Sequence, residues 1–254
     1  MADAIKWLRA WLGIDDGNHR AIHRTIEPTM VSPERVQSED DRKRLAMAAD
    51  VCYRNLSDGG REHLARSLGI VSGSLEQLRV GWCPRRQMET WPMLNADGVI
   101  IGIRLRCSVT KVKKSVKGSR GGLFYDPVSM ASIEHGARVW ICEGASDTAA
   151  GLSLGLAAVG IPSTGCGGDL LAGLGHRVRP SEWVIVADGD GPGIEGAKRL
   201  RVDLALIAPV RIIHPPEPIK DLREWLGRGL SRQAIEREAD ASEQFKLEWD
   251  GGSV

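Results

Sequence analysis

Paired cysteines are the first thing this 254-residue chain lacks. Its five cysteines, Cys52, Cys83, Cys107, Cys142 and Cys166, are scattered, and no C-x-x-C or Cys/His pair has the spacing of zinc ligands. No zinc is therefore expected, and with no secretory leader in view the thiols read as reduced, in a cytoplasmic protein. No apolar run approaches the roughly 20 residues of a membrane helix, so no membrane partner is expected. There is no G-x-x-x-x-G-K-[ST] loop, which excludes a fused helicase motor, and no internal repeat. Tyr and Phe are scarce, two of each against eight Trp, and the Trp residues read as anchors in core and surface. Excess charge is missing too: a net charge of +1 excludes a uniformly basic nucleic-acid binder.

What is present is enough chain for one large domain or two small ones, with a core that needs no covalent staples. Residues 4–12 suit a short amphipathic helix and residues 13–40 a linker. Leu45, Ala48, Ala49 and Cys52 share one face of a helix from Asp41 to about Asn55, which Ser57-Asp58-Gly59-Gly60 breaks. Short helices are expected over 61–68 and 72–78, the latter capped by Ser72 or Ser74. The pattern then turns to β. Asp97-Gly98 marks a hairpin between Trp91–Leu94 and Val99–Cys107. In the second strand Ile103, Leu105 and Cys107 alternate with Arg104 and Arg106, the period of a half-buried strand. A third strand is expected near Lys111–Lys117. From about residue 138 strand and helix alternate, with strands over 139–142, 157–159, 183–187 and 209–213. That rhythm predicts a parallel sheet covered by helices. Helices near 220–226 and 231–239 precede a polar end that is expected to fray.

Two of the strand ends are acidic. Val139–Cys142 runs into Glu143-Gly144, with Asp147 a turn later, and Val184–Ala187 runs into Asp188-Gly189-Asp190. Sites in open α/β sheets form outside the carboxyl ends of strands, so neighbouring strands would bring Glu143, Asp188 and Asp190 within a few ångströms. Carboxylates gathered there repel unless a cation lies between them, and oxygen-only ligands favour Mg²⁺ or Mn²⁺. Such an ion binds phosphate oxygens and stabilises their charge. Each acidic turn alone reads as surface; two at the ends of apolar strands in one array are far more specific. A dinucleotide loop at 189–193 is the rival, but the G-x-G-x-x-G spacing is not met and the acids would face a pyrophosphate.

The second feature is a stretch without acids. Between Asp97 and Asp126 there is no Asp or Glu, but there are seven cations: Arg104, Arg106, Lys111, Lys113, Lys114, Lys117 and Arg120. A phosphate-binding surface is one reading, with salt-dependent binding. A strand edge guarded by Lys is the other.

V-W-I-C-E-G-A-S-D and V-I-V-A-D-G-D-G-P-G-I-E-G-A-K-R-L together resemble the Toprim domain shared by bacterial primases, topoisomerases and some nucleases. Upstream, G-W-C-P-R-R, W-P-M-L-N-A-D-G-V-I-I-G-I-R-L-R and K-K-S-V-K-G-S-R-G-G-L-F-Y resemble the basic subdomain that precedes Toprim in bacterial primases and phage primase–helicases. The resemblance implies an α/β fold: a Toprim-type parallel sheet flanked by helices, preceded by a smaller α+β basic subdomain. Its divisions are 1–40 (helix and linker), 41–130 (basic subdomain), 131–215 (Toprim) and 216–254 (helical tail). It implies catalytic roles for Glu143, Asp188 and Asp190, metal ligands among Glu143, Asp147, Asp188, Asp190 and Asp221, and nucleotide or DNA contacts from Arg104, Arg106, Lys113, Lys114, Lys117 and Arg120. Asp221 reads equally as a helix N-cap. Asp126 departs from the pattern, standing where bacterial primases often carry a basic residue.

The implied activity is primase-type synthesis of short RNA or mixed primers from NTPs on single-stranded DNA, with Mg²⁺ or Mn²⁺. A Toprim nuclease and a non-catalytic single-strand-binding accessory remain alternatives. Tyr53 and Tyr125, the only tyrosines, are not placed for topoisomerase chemistry. Without a zinc module or motor, a replicative helicase or a separate template-recognition protein is the expected partner. Trp7 and Trp11 can either dock it or pack on the protein's own core.

Overall fold

The structure, a computed structural model, describes residues 37–107, 110–133, 136–162 and 167–247. The expected helix over 4–12, with Trp7 and Trp11, lies outside the described residues, as does Cys166.

Local signals set the N-terminal half. Helix α1 (Glu39–Asn55) starts where the Ser38 hydroxyl accepts the Asp41 N–H, and three acids occupy its first turn. Ser57-Asp58-Gly59-Gly60 does not simply interrupt the chain: Ser57 caps α2 (Asp58–Leu68), and both glycines lie in its first turn. Helix α3 (Ser72–Gln77) differs from expectation in its cap. Val71 occupies that position without a side-chain bond, while the Ser74 hydroxyl turns back to the Val71 carbonyl at 2.7 Å.

A four-stranded antiparallel sheet follows, in order β1 (Gly81–Cys83), β2 (Met88–Leu94), β3 (Ile100–Arg106), β4 (Lys113–Ser115). The β2–β3 hairpin turns at Gly98 (φ 77°), and the Asn95 side chain accepts the N–H groups of Asp97 and Val99. One face, with Ile103 and Leu105, packs on Leu45, Ala48 and Cys52 of α1. On the other face Trp91 and Met93 pack on Leu64, Leu75, Phe124 and Ala149.

Helix α4 (Pro127–Ser132), capped by Asp126, leads into the second sheet. Its order is β6 (Ala158–Ile161), β5 (Arg138–Glu143), β7 (Glu182–Val186), β8 (Val210–Ile213), β9 (Gln244–Phe245). The first four strands are parallel. Strand β9 is antiparallel and draws the C-terminal segment onto the sheet edge, where fraying was expected. Both faces are covered, as parallel sheets require. Val139, Ile141 and Ile185 face Leu171, Leu174, Leu200 and Leu204 of α6 (Gly168–Val178) and α7 (Gly191–Leu204). Trp140, Cys142, Val184 and Val186 face α5 (Ala145–Ser153), α8 (Leu222–Gly227) and α9 (Arg232–Ala241).

The two sheets are stitched by one short segment. Leu123 bridges to Leu94, and Phe124 bridges to Gly160 through reciprocal backbone bonds of 2.9 and 2.7 Å. Leu123 and Phe124 are both buried, which holds the basic sheet against the carboxyl rim of the parallel one.

Candidate active site

Strands β5 and β7 are direct parallel neighbours, with Cys142 opposite Val186. Their ends therefore deliver both acidic turns to one rim. After Glu143 the chain must turn sharply into α5, and Gly144 does this at φ 86°, a conformation side-chain-bearing residues resist. Asp147 then lies one turn into α5, buried, with Oδ1 accepting the Arg223 backbone N–H at 3.0 Å. Beyond β7, Asp190 caps α7 by accepting the Gly193 N–H at 3.0 Å and pairs with Lys220 Nζ at 3.5 Å. Asp221 caps α8, accepting the Glu224 N–H at 2.7 Å, and its other oxygen lies 3.7 Å from Arg223 Nη2. Asp221 is therefore a helix cap, and its charge also raises the pKa of Asp147 and Asp188.

The acids sense each other. Burial, then the charges of Asp147, Glu143, Asp221 and Asp190, push the Asp188 carboxyl up to about 7. Burial and Asp221 raise Asp147 to about 6, against the opposing pull of Arg223 and Ser146. Glu143 is raised by burial and Asp190, and pulled back by Lys113 and Lys220. Burial and the charges of Asp147 and Asp188 also push the Cys142 thiol well up, so it stays neutral beneath the site. Lys113, Lys220 and Arg223 offset this negative charge only in part, and a divalent cation is what would compensate the rest. The donors are hard oxygens suited to Mg²⁺ or Mn²⁺. Among the described residues, however, no three carboxylate, imidazole or thiol side chains are drawn together into a ready-made ion cage. The convergence within a few ångströms is therefore not preformed. Asp147, Asp190 and Asp221 each spend an oxygen on a backbone N–H.

The basic segment faces this rim in part. Register places Arg106 opposite Lys113 and Arg104 opposite Ser115, all on one face. Lys114 lies opposite Leu105, on the face toward α1, so it does not share that surface. Lys113, Lys117 and Arg120 are exposed. Lys113 is close enough to lower the Glu143 pKa, which puts a cation of the small sheet against an acid of the large one. Sequence reasoning passed over Lys220 and Arg223 as site residues. Lys220 adjoins the flagged Asp221, but Arg223 acts through its backbone N–H and through tertiary contact, which no local motif encodes.

No family model and no curated protein sequence matches the chain. Solved structures do. The E. coli primase catalytic core aligns at 14% identity over 80% of each chain, with a TM-score of 0.60. The DnaG primase catalytic domain bound to single-stranded DNA aligns at 15% identity, over 80% of this chain and 79% of that one, with a TM-score of 0.64. This chain has the fold of a bacterial primase catalytic core. The RNA polymerase domain of Mycobacterium tuberculosis DnaG, solved with a DNA duplex carrying a 6-nucleotide overhang, aligns at 18% identity over 82% of each chain, with a TM-score of 0.60. At such identities the likeness is one of fold. No helix among the described residues is long and apolar enough to cross a membrane.

Proposed function

We propose that this chain is a primase-type nucleotidyltransferase that joins nucleotides into short RNA or mixed primers on single-stranded DNA. The observation that carries the reading is the delivery of two acidic strand ends, after β5 and β7, to one rim within a fold similar to primase cores, with Lys113 of β4 near enough for its charge to lower the Glu143 pKa. Phosphoryl transfer needs such a pairing: cations to hold phosphate charge, and carboxylates to hold a metal and take a proton. Glu143, Asp147, Asp188, Asp190 and Asp221 would hold Mg²⁺ or Mn²⁺, which when bound neutralises triphosphate charge and lowers the pKa of an attacking hydroxyl.

The protein's own groups do the rest. Arg104, Arg106 and Lys113, on one strand face, bind triphosphate and template backbone; Lys114 contributes from the opposite face only if the strand wraps the sheet edge. Glu143, half-buried and with a raised pKa, accepts the proton of the attacking 3′-hydroxyl on a carboxylate oxygen. Lys220, paired with Asp190, orients that carboxylate. The Arg223 N–H fixes Asp147 in place beneath the site.

The test is incubation with NTPs, Mg²⁺ or Mn²⁺ and a single-stranded DNA template. Wild type is expected to yield short oligonucleotides, and the Asp188→Ala/Asp190→Ala double variant to yield at least 100-fold fewer, the scale of losing a metal-based transition-state contact. Undiminished product from the double variant would overturn the assignment. Metal-dependent cleavage of labelled DNA without NTPs would replace it with a nuclease. Salt-sensitive DNA binding with no turnover would leave an accessory strand binder.

A further inference from the structure

Between α2 and the small sheet lies a cavity of about 620 Å³, within the size range of small-molecule sites and outside the acid cluster itself. Part of its lining is apolar, Leu64 and Leu68 of α2 with the Trp82 indole from β1, and His63 and Ser67 of α2 add polar groups beside them. Three cations reach it from different elements: Arg106 at the end of β3, Lys111 in the following turn, and Arg223 from α8. The buried Glu89 carboxylate stands in its wall. Arg223 belongs to both places. Its backbone N–H holds Asp147, its Nη2 lies 3.7 Å from Asp221, and its buried Nε has no hydrogen-bond acceptor among the described residues. Such a buried donor is expected to be satisfied when its partner is in place.

We infer that this cavity is a nucleotide-unit site: an aromatic base stacks on Trp82 against Leu64 and Leu68, and its phosphate is held by Arg106, Lys111 and Arg223. An apolar patch with one indole selects a flat aromatic group, and three cations against one carboxylate select an anion. Arg223 lines the cavity and also contacts Asp147 and Asp221 of the acidic rim, so the cavity lies beside that rim. The inference rests on the nucleic-acid reading above but not on its catalysis. The unit has two sources, a free nucleotide or an unpaired residue of a single strand.

Photocrosslinking of the full chain in chelator, where no metal-dependent turnover occurs, separates them. One arm uses 4-thiouridine triphosphate and the other a single-stranded oligonucleotide carrying one 4-thiothymidine. Adducts within residues 57–68 or 81–89, read by peptide mass, are expected. Adducts from the free nucleotide identify a mononucleotide site, and adducts from the oligonucleotide alone identify a site for a base of the strand. Adducts confined to other peptides in both arms overturn the inference. Trp82→Leu should weaken the crosslinking ligand about tenfold, and Trp82→Phe should hold near wild type, because stacking survives. Equal affinity in wild type and Trp82→Leu also overturns it. A wild-type chain that crosslinks at these peptides but makes no primer keeps the pocket and loses only the polymerase reading.

Discussion

At the scale of single residues, the acid cluster sets folding against ionisation. Asp188 rises from 3.8 to about 7 and Asp147 from 3.8 to about 6. A carboxyl whose pKa is higher folded than unfolded binds extra protons in the folded state between those values. Stability therefore falls as pH rises from about 4 to about 7, and the loss is complete above that window. For Asp147, almost wholly buried, the loss is on the order of 3 kcal/mol; solvent screening discounts the share of the more open Asp188. In chelator, the melting temperature of wild type should drop between pH 5 and pH 8, and Asp147→Asn and Asp188→Asn should each flatten that drop. Mg²⁺ should restore melting temperature at pH 8 and do less at pH 5, where Asp188 and Asp147 are protonated. Thermal unfolding scans at both pH values check this, and parallel pH slopes in wild type and both variants would contradict it.

At the scale of elements, the start of α7 is fixed by close approach. A Cβ on Gly193 would sit 2.7 Å from the Asp188 carbonyl oxygen and 3.0 Å from its Cβ, and neither atom is the free end of a flexible side chain. Gly193→Ala must push the helix away from the strand end, breaking the Asp190 cap and moving both acids. The expected cost is about 1–3 kcal/mol in urea unfolding, with activity falling further than stability explains. Unchanged unfolding and activity would show that the turn has slack.

The acidic turn after Val184–Ala187 was legible from the sequence because its chemistry is local, a strand end followed by Asp188-Gly189-Asp190 and a helix; that Asp190 caps the helix was not read there. The same holds for Glu143-Gly144 and for the Ile103/Leu105 alternation, which the burial of those two residues matches. Other elements gave no such signal. Strands β1 and β9 span 3 and 2 residues, too short to display a period. Which face carries Lys114 depends on register, and register is set by the partner strand rather than by spacing along one strand. The role of Arg223 and the cavity beneath Trp82 arise only where helices distant in sequence meet the small sheet.

For the whole molecule, a nearly neutral chain separates its charge between two walls, and that separation has a measurable consequence. Each cation that neutralises a phosphate of single-stranded DNA releases counterions and adds about 0.7 to the slope of log affinity against log salt. Arg106 and Lys113 face each other across β3 and β4, so a strand lying on that face meets both. Lys113 also offsets Glu143, which would otherwise repel the same phosphates. Arg106→Gln with Lys113→Gln should therefore lower the salt slope by about 1.4 and weaken binding at every salt concentration, measured by fluorescence anisotropy of a labelled single strand. Asp188→Asn, which removes a negative charge from the opposite wall, should instead tighten metal-free binding while leaving the slope almost unchanged, because it alters repulsion and not the number of phosphates contacted. If the double variant keeps the wild-type slope, the strand does not run over the β3–β4 face, and the basic segment guards a sheet edge instead.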